Sequence, residues 1–210
     1  MPTSFHSQIG TIIDLILRIN PKAILDIGVG FGKYGFLSRE YLEVAKGDFE
    51  KFNLTIDGIE GFAKYLNPAH KFIYNKIYLG NALDILPSLK KKYDLILIID
   101  CLEHFDQQSG LKLLKLMQSR AKNIIISVPA FFIPQGSVNE NTYEEHKYFW
   151  RKQDFHALKN KVFFEHFESL IVYQGEHCRK LRKKAFIYAL DNLFPKIRVR
   201  IYQFLSRIKK

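Results

Sequence analysis

The sequence predicts a doubly wound α/β fold with a mostly parallel, seven-stranded sheet. Short apolar segments rich in Ile, Leu and Val alternate with longer segments whose apolar residues recur every three or four positions. The run Tyr93–Ile99 is almost wholly apolar, as expected for a central parallel strand covered by helices on both faces. A glycine-rich turn at 28–32 directly follows the first apolar segment. This order of elements is typical of a parallel sheet with helical crossovers.

The N-terminal half begins with a helix and a strand. Apolar residues repeat at helical spacing across 7–20, and Asn20-Pro21 ends this helix. The segment 23–27 is short, apolar and followed by glycine, which predicts the first strand. The same criteria predict a helix at 34–44, strands at 54–59 and 72–78, and the start of a short helix at 62–66.

The C-terminal half continues the alternation. After the strand at 93–99, leucines at helical spacing predict a helix at 108–121. A strand is expected at 123–128, ending before Pro129. We expect a long functional loop at 130–148, a helix at 151–160 and a closing pair of strands within 162–173.

Charge divides the chain of 210 residues into a nearly neutral body and a basic tail. The segment after Cys178 contains eleven Lys or Arg residues and one acid, a net charge of +10 out of +11 for the whole chain. The 47% hydrophobic content is sufficient for one core. We therefore expect one domain at 1–177 and a basic amphipathic helical tail at 178–210.

The tail has three interpretations. Its apolar residues at 197, 201, 204, 205 and 208 share one helical face, and most basic residues lie elsewhere. Such a helix packs on its own domain, lies on an anionic membrane surface, or binds nucleic-acid phosphates. The nucleic-acid interpretation is the least favoured. The oligomeric state is not predicted.

The cellular location is expected to be cytoplasmic. If the basic tail lies on an anionic membrane surface, the protein is expected at the inner face of the membrane. Residues 1–7 lack the basic and apolar layout of a signal peptide, and no run of ~20 apolar residues is present. Cys101 and Cys178 lack the spacing of a metal site or a disulfide framework.

The glycine-rich turn has two functional interpretations. Gly30, Gly32 and Gly35 match the dinucleotide pattern G-x-G-x-x-G. The overlapping pattern Asp26-x-Gly28-x-Gly30-x-Gly32 places an acid two residues before the first glycine. A carboxylate repels a pyrophosphate but favours a ligand that carries a sulfonium and an ammonium group.

Three further segments stand where parallel strands end and where ligands bind in such sheets. Glu60 ends the second strand, and a carboxylate there accepts hydrogen bonds from ribose hydroxyls. Asn81 and Ala82 lie in Leu79-Gly-Asn-Ala-Leu83, and Asp100 begins Asp-Cys-Leu-Glu-His-Phe105.

These motifs together resemble class I S-adenosylmethionine (SAM) dependent methyltransferases, in the small-molecule group that includes ubiquinone-pathway enzymes. The resemblance covers about 9–155 and implies a Rossmann-like methyltransferase fold with SAM as cofactor. It departs from the family at Asn81, where many members have an acid that binds the adenine amino group. An amide oxygen still accepts one hydrogen bond there. The cofactor-binding residues that the resemblance implies are Asp26, Gly28, Gly30, Gly32, Glu60, Asn81, Ala82 and Asp100.

The predicted reaction is methyl transfer to oxygen or carbon of a small-molecule, glycan or lipid-linked acceptor. A base that removes the acceptor proton is expected among His104, His146 and, less favoured, Asp100. No metal is expected, because the acidic cluster that holds magnesium in catechol-type methyltransferases cannot be assembled. Three alternatives remain: an RNA methyltransferase that uses the basic tail, an NAD(P)-dependent oxidoreductase, and a degenerate cofactor-binding module that regulates a partner.

Overall fold

The computed structural model describes residues 3–48, 50–138, 140–183 and 185, and its central feature is one seven-stranded sheet. The strands lie in the order β3-β2-β1-β4-β5-β7-β6. Their bounds are β1 Ala23–Ile27, β2 Thr55–Glu60, β3 Lys76–Leu79, β4 Tyr93–Ile99, β5 Ala121–Pro129, β6 Lys161–Glu165 and β7 Ser169–Gly175.

Strands β1 to β5 are parallel, and β7 is antiparallel to both of its neighbours, β5 and β6. The predicted mostly parallel, seven-stranded sheet is therefore confirmed. In the central register, Ile27 of β1 lies between Ile59 of β2 and Ile98 of β4. The carboxyl ends of these three strands consequently meet at one edge of the sheet.

Helices cover both faces of the sheet. Their bounds are α1 Ile9–Ile19, α2 Lys33–Leu42, α3 Ala69–Ile73, α4 Ala82–Ser88 and α5 Gln107–Arg120. Short 3-10 helices lie at His6–Gln8, Val44–Lys46, Ala63–Tyr65, Leu102–His104, Thr142–Glu144 and Lys152–Phe155.

Alternation along the strands produces two hydrophobic cores. Ile24 of β1 and Leu95 of β4 pack on the face that carries α1 and α2. Leu25 and Ile96, one residue further on, pack on the opposite face with α4 and α5. All four side chains are fully buried. This two-sided burial explains why the central strands read as continuous apolar runs.

Two predicted elements are corrected by the structure. The strand predicted at 72–78 is only Lys76–Leu79, because α3 occupies Ala69–Ile73 and buries Ile73 and His70. The helix predicted at 151–160 is a short 3-10 helix, Lys152–Phe155. Helix α4 was not predicted.

The prediction of a helix at 151–160 is wrong because the apolar spacing in this segment is also compatible with a short turn. Asp154 accepts a hydrogen bond from the Arg151 main-chain N–H at 2.7 Å, which closes a tight turn. Phe155 and Leu158 are both buried in the core beside α5. Their spacing of three therefore reflects two separate core contacts and not a continuous helix.

The beginning of the predicted tail packs on the core. Residues 178–183 are helical, and Cys178 and Leu181 are buried in the core that contains α1. The amphipathic face at 197–208, with its membrane and nucleic-acid interpretations, lies outside the described residues. Over the part of the chain that the structure describes, no helix is long and apolar enough to cross a membrane.

Candidate active site

A cavity of about 350 Å³ opens at the carboxyl ends of β1, β2 and β4. The sequence-predicted residues on its wall are Gly28, Gly30, Glu60, Asn81, Ala82, Asp100 and His104. Strands from three separate parts of the chain therefore place most of the predicted site around one space. Asp26, Gly32 and His146 do not line it.

The glycine-rich turn forms the floor of the cavity. Gly28 and Gly30 have positive φ angles of 78° and 53°, which L-residues with side chains rarely adopt. A Cβ atom on Gly28 would lie 2.7 Å from the Cys101 sulfur, so the close approach of β1 to the chain after β4 also requires glycine. Gly32 precedes α2 and shapes the turn, with its own Cβ position facing Ile73.

Asp26 lies in β1, two residues before the turn, and is only 3% exposed. Its carboxylate accepts a hydrogen bond from the Tyr74 hydroxyl at 2.6 Å. Burial raises the pKa of Asp26 to about 7, although the Tyr74 hydrogen bond opposes this shift. The structure thus shows Asp26 as a buried residue of β1 that is bonded to Tyr74, and direct contact between Asp26 and a cofactor stays a prediction.

Glu60 connects the end of β2 to the glycine turn. One carboxylate oxygen accepts from the Gly30 N–H at 2.8 Å, and the other accepts from the Phe62 N–H at 2.8 Å. Burial raises the pKa of Glu60, and these main-chain hydrogen bonds oppose the shift. Each oxygen retains a second lone pair, so the carboxylate is able to accept hydroxyl hydrogens from a bound ligand.

Asn81 stands at the N-terminus of α4. Its side-chain oxygen accepts a hydrogen bond from the Leu83 N–H at 2.9 Å, which caps the helix. Asn81 and Ala82 both line the cavity. The amide group of Asn81 keeps two N–H donors and one acceptor lone pair for a ligand.

Asp100 is held by groups that sequence reasoning missed. Gln8 donates to one carboxylate oxygen at 2.6 Å, and Ser127 donates to the other at 2.6 Å. The Phe5 N–H adds a contact of 3.3 Å. Gln8 and Ser127 are both fully buried. For Ser127, a polar residue inside an apolar strand is the signal that could have identified it, whereas Gln8 follows polar residues and has no such signal.

The N-terminal segment forms one wall of the cavity. Thr3 and Ser4 line it, and Lys33 donates to the Ser4 carbonyl oxygen at 2.9 Å. The contact of Gln8 with Asp100 ties the same segment to the end of β4. Residues before the first strand therefore belong to the site, although no sequence motif marks them.

Two histidines meet beside the cavity. The ring centroids of His104 and His146 lie 5.1 Å apart, although 41 residues separate them in sequence. Burial lowers the pKa of His104 to about 4, so this imidazole is neutral at physiological pH. The neighbouring Glu103 is 3% exposed, and burial raises the pKa of its carboxyl group well above its usual range.

Carboxylates dominate the ionisable groups around the cavity. Glu60, Asp100, Asp106 and Glu144 line it together with the two lysines Lys33 and Lys147. Glu144 is buried and accepts a hydrogen bond from the Tyr65 hydroxyl at 2.8 Å. Lys33 is already bonded to the N-terminal segment. An acidic lining of this kind favours ligands that carry positive charge.

The fold of this chain matches solved structures of other proteins. No protein-family model and no curated protein sequence matches the chain. A protein of Nostoc punctiforme PCC 73102 assigned as an O-methyltransferase superimposes with a TM-score of 0.56 and 18% identity over 78% of this chain. This chain spans only about half of that protein, 54% of its length.

Two further neighbours are matched over most of their length. Magnesium protoporphyrin IX methyltransferase from Synechocystis PCC 6803, with bound S-adenosylhomocysteine (SAH), has a TM-score of 0.54 and 13% identity. The match covers 80% of this chain and 81% of that one. The N-terminal domain of EvdMO1, studied with SAH and D-fucose, has a TM-score of 0.57 and 15% identity, over 82% of this chain and 84% of that one.

These neighbours confirm the fold that the sequence motifs implied. The chain has the Rossmann-like fold of class I SAM-dependent methyltransferases.

Proposed function

We propose that this protein is a SAM-dependent methyltransferase that transfers a methyl group to oxygen or carbon of a small acceptor. The observation that carries the proposal is the cavity at the ends of β1, β2 and β4, with glycine on its floor and carboxylates on its walls. Solved neighbours with the same fold were crystallised with SAH, the product of SAM.

The residues fit a cationic nucleoside better than a pyrophosphate. Gly28 and Gly30 expose main chain where any Cβ atom would be strained, so a ligand approaches closely there. Glu60 and Glu144 supply negative charge on the cavity wall, which attracts a sulfonium and an ammonium group and repels phosphates.

Each cavity group has a proposed binding role. Glu60 accepts hydrogen bonds from the two ribose hydroxyls of the cofactor, and Asn81 and Ala82 contact the adenine. Asp100 and the glycine turn lie on the side of the amino-acid portion. When bound, SAM supplies an electrophilic methyl group, so the protein must chiefly orient the acceptor and exclude water.

Proton removal from the acceptor is assigned to the histidine side of the cavity. His104 lines the cavity, but a pKa of about 4 makes it a weak base near neutral pH. The Asp100 carboxylate already accepts from Gln8 and Ser127. His146, whose ring lies 5.1 Å from that of His104, is the remaining candidate for the base.

The acceptor is proposed to be a small molecule, a glycan or a lipid-linked compound. Exposed aromatic rings line the cavity at Phe31 and Tyr143, which are 58% and 44% exposed. Such rings stack on sugars or flat apolar groups. The presence of D-fucose with the EvdMO1 domain supports a sugar acceptor by analogy of fold. Peripheral membrane contact through 179–210 remains a proposal on the sequence alone.

The test combines cofactor binding with product identification. Calorimetry with SAH and, separately, with NADH should detect binding of SAH alone. Incubation with methyl-labelled SAM and a cell extract, followed by separation into small-molecule, lipid, sugar, RNA and protein fractions, should place the label in the small-molecule, lipid or sugar fraction. NADH binding without SAH binding would overturn the proposal. Label in the RNA fraction would favour the alternative of an RNA methyltransferase.

A further inference from the structure

We propose that Glu103, His104 and His146 form a binding site for one divalent transition-metal ion at the wall of the cavity. Each side chain offers one ligand atom, and these atoms all lie within 4.8 Å of one another. No local sequence pattern predicts this site, because its histidines come together only in the folded chain. An ion about 2.1 Å from each ligand atom would draw the three groups slightly closer.

Two short segments build the site, and main-chain hydrogen bonds join them. Glu103 and His104 belong to the 3-10 helix Leu102–His104 that follows β4. His146 follows the 3-10 helix Thr142–Glu144. The Lys147 N–H donates to the Glu103 carbonyl oxygen at 2.8 Å, so the two segments are held in register before any ion binds.

Both imidazoles present a ligand nitrogen. His104 Nδ1 lies 3.2 Å from the Glu145 carbonyl oxygen, and His146 Nδ1 lies 2.6 Å from the Ile133 carbonyl oxygen. A carbonyl oxygen only accepts, so each Nδ1 carries the hydrogen and each Nε2 keeps its lone pair. In metal-bound histidines, the ring nitrogen that does not bind the metal usually donates its N–H to a main-chain carbonyl or a carboxylate.

The burial of the Glu103 carboxylate is a second observation that supports a bound cation. The residue is 3% exposed, and its Oε2 atom has no hydrogen-bond partner among the described residues. A buried carboxylate oxygen without a partner carries a substantial desolvation cost. No side-chain hydrogen bond within the described chain joins Glu103, His104 and His146 to one another, so the Glu103 oxygen stays without a partner unless another group binds there. A cation supplies both the contact and the compensating charge.

The ligand set indicates the class of metal. Two imidazole nitrogens and one carboxylate suit Zn²⁺, Mn²⁺, Fe²⁺ or Co²⁺, whereas Mg²⁺ and Ca²⁺ prefer oxygen ligands. Three protein ligands leave at least one coordination position open. Because His104 lines the cavity, an acceptor oxygen is able to reach that position.

The role of the ion rests on the proposed function, whereas its binding does not. A divalent ion that binds an acceptor hydroxyl lowers the pKa of that hydroxyl. In the metal-loaded protein, His104 and His146 therefore act as ligands, and the ion replaces the histidine base as the activating group.

The experiment measures Co²⁺ binding to the full chain after removal of metals with a chelator. Visible absorption should report saturable binding of one Co²⁺ per chain, and added Zn²⁺ should displace it. Loss of a supporting contact alone costs about 10–100-fold in metal affinity, so Glu103→Gln and His146→Asn should each weaken binding at least about tenfold. The control His156→Ala removes an exposed histidine outside the cluster and should leave the affinity unchanged.

Folding of each variant is checked by circular dichroism. If a variant does not fold, nuclear magnetic resonance spectra of the unmodified chain provide a second test. Bound Co²⁺ should shift the ring resonances of His104 and His146 in these spectra. Absence of saturable binding, unshifted His104 and His146 resonances, or equal weakening by His156→Ala would overturn the metal site.

SAH calorimetry on the metal-free chain separates this inference from the proposed function. SAH binding without Co²⁺ binding overturns the metal site alone. Co²⁺ binding without SAH binding overturns the methyltransferase proposal alone.

Discussion

Asp26 and Glu60 are buried, Asp100 is half-buried, and each of these carboxylates accepts hydrogen bonds from different groups. Glu60 accepts two main-chain N–H groups, Asp100 accepts mainly from Gln8 and Ser127, and Asp26 accepts from Tyr74. Burial is the first cause of the raised pKa of all three carboxyl groups. The site therefore holds its negative charge at a cost in stability, which a cationic ligand offsets.

Asp26 should impose a pH dependence on stability. Its pKa is about 7 in the folded chain and about 3.8 when unfolded, so the folded state binds more protons between these values. Stability therefore falls as pH rises from about 4 to 7. Asp26→Asn should remove this contribution while preserving an acceptor for the Tyr74 hydroxyl.

The measurement is urea unfolding of both proteins at several pH values. Subtraction of the two curves removes the contribution of His104, whose lowered pKa has the opposite sign: the unfolded state binds more protons, and stability rises between about pH 4 and 6.5. An unfolding free energy difference that does not change with pH would contradict the burial of a titrating Asp26.

Glu60→Gln should weaken SAH binding by about 10–100-fold. Hydrogen bonds to a charged group contribute about 1.5–3 kcal/mol, and an amide replaces only one of the two carboxylate acceptors. The measurement is calorimetric titration with SAH. Glu165→Gln, at a side chain that is 63% exposed on β6, is the matched control and should bind SAH normally. Equal affinity in the two variants would remove Glu60 from the binding site.

At the scale of elements, Trp150 joins the long loop to the helical layer. Its indole N–H donates to the Leu102 carbonyl oxygen at 3.0 Å, and its ring packs on Gly110 of α5. A Cβ atom on Gly110 would lie 2.2 Å from the Trp150 ring. The end of the loop and the 3-10 helix that contains His104 are thus held by one buried side chain.

Gly110→Ala should destabilise the fold by about 1–3 kcal/mol, because the added methyl group forces Trp150 or α5 to move. The control Gly10→Ala lies in α1, where a Cβ atom meets nothing within 4 Å. It should be neutral or stabilising by up to about 1 kcal/mol, since alanine favours helix. Denaturant unfolding of both variants measures these changes, and equal stabilities would contradict the packing described for Trp150.

At the scale of the whole molecule, the cavity depends on parts of the chain that are far apart in sequence. Its wall combines the N-terminal segment, the ends of β1, β2 and β4, the start of α4, and the loop near Glu144. A ligand that bridges these parts stabilises all of them against unfolding.

SAH should raise the thermal midpoint of the full chain. Ligand at 100 times its dissociation constant contributes about 2.7 kcal/mol, which corresponds to about 5–10 °C for a domain of this size. Differential scanning fluorimetry with SAH and with NADH at equal concentrations provides the measurement. No shift with SAH, or an equal shift with NADH, would contradict a SAM-specific cavity.

The sequence by itself determined the sheet class and predicted many of the residues that line the cavity. Alternation of apolar segments, the positive-φ glycines at 28 and 30, and the acids Glu60 and Asp100 at strand ends are local features, and the structure places them where parallel strands require. They were predictable because strand burial and turn geometry depend on neighbouring residues.

Only the tertiary structure decided the contacts between distant segments. It bonded Asp26 to Tyr74 outside the cavity wall and joined Gln8 to Asp100. It also brought His146 against His104, next to Glu103, which has one oxygen without a hydrogen-bond partner. These contacts arise from packing across the sheet edge. No local pattern carries them, because burial and ligand geometry depend on which segments the folded chain brings together.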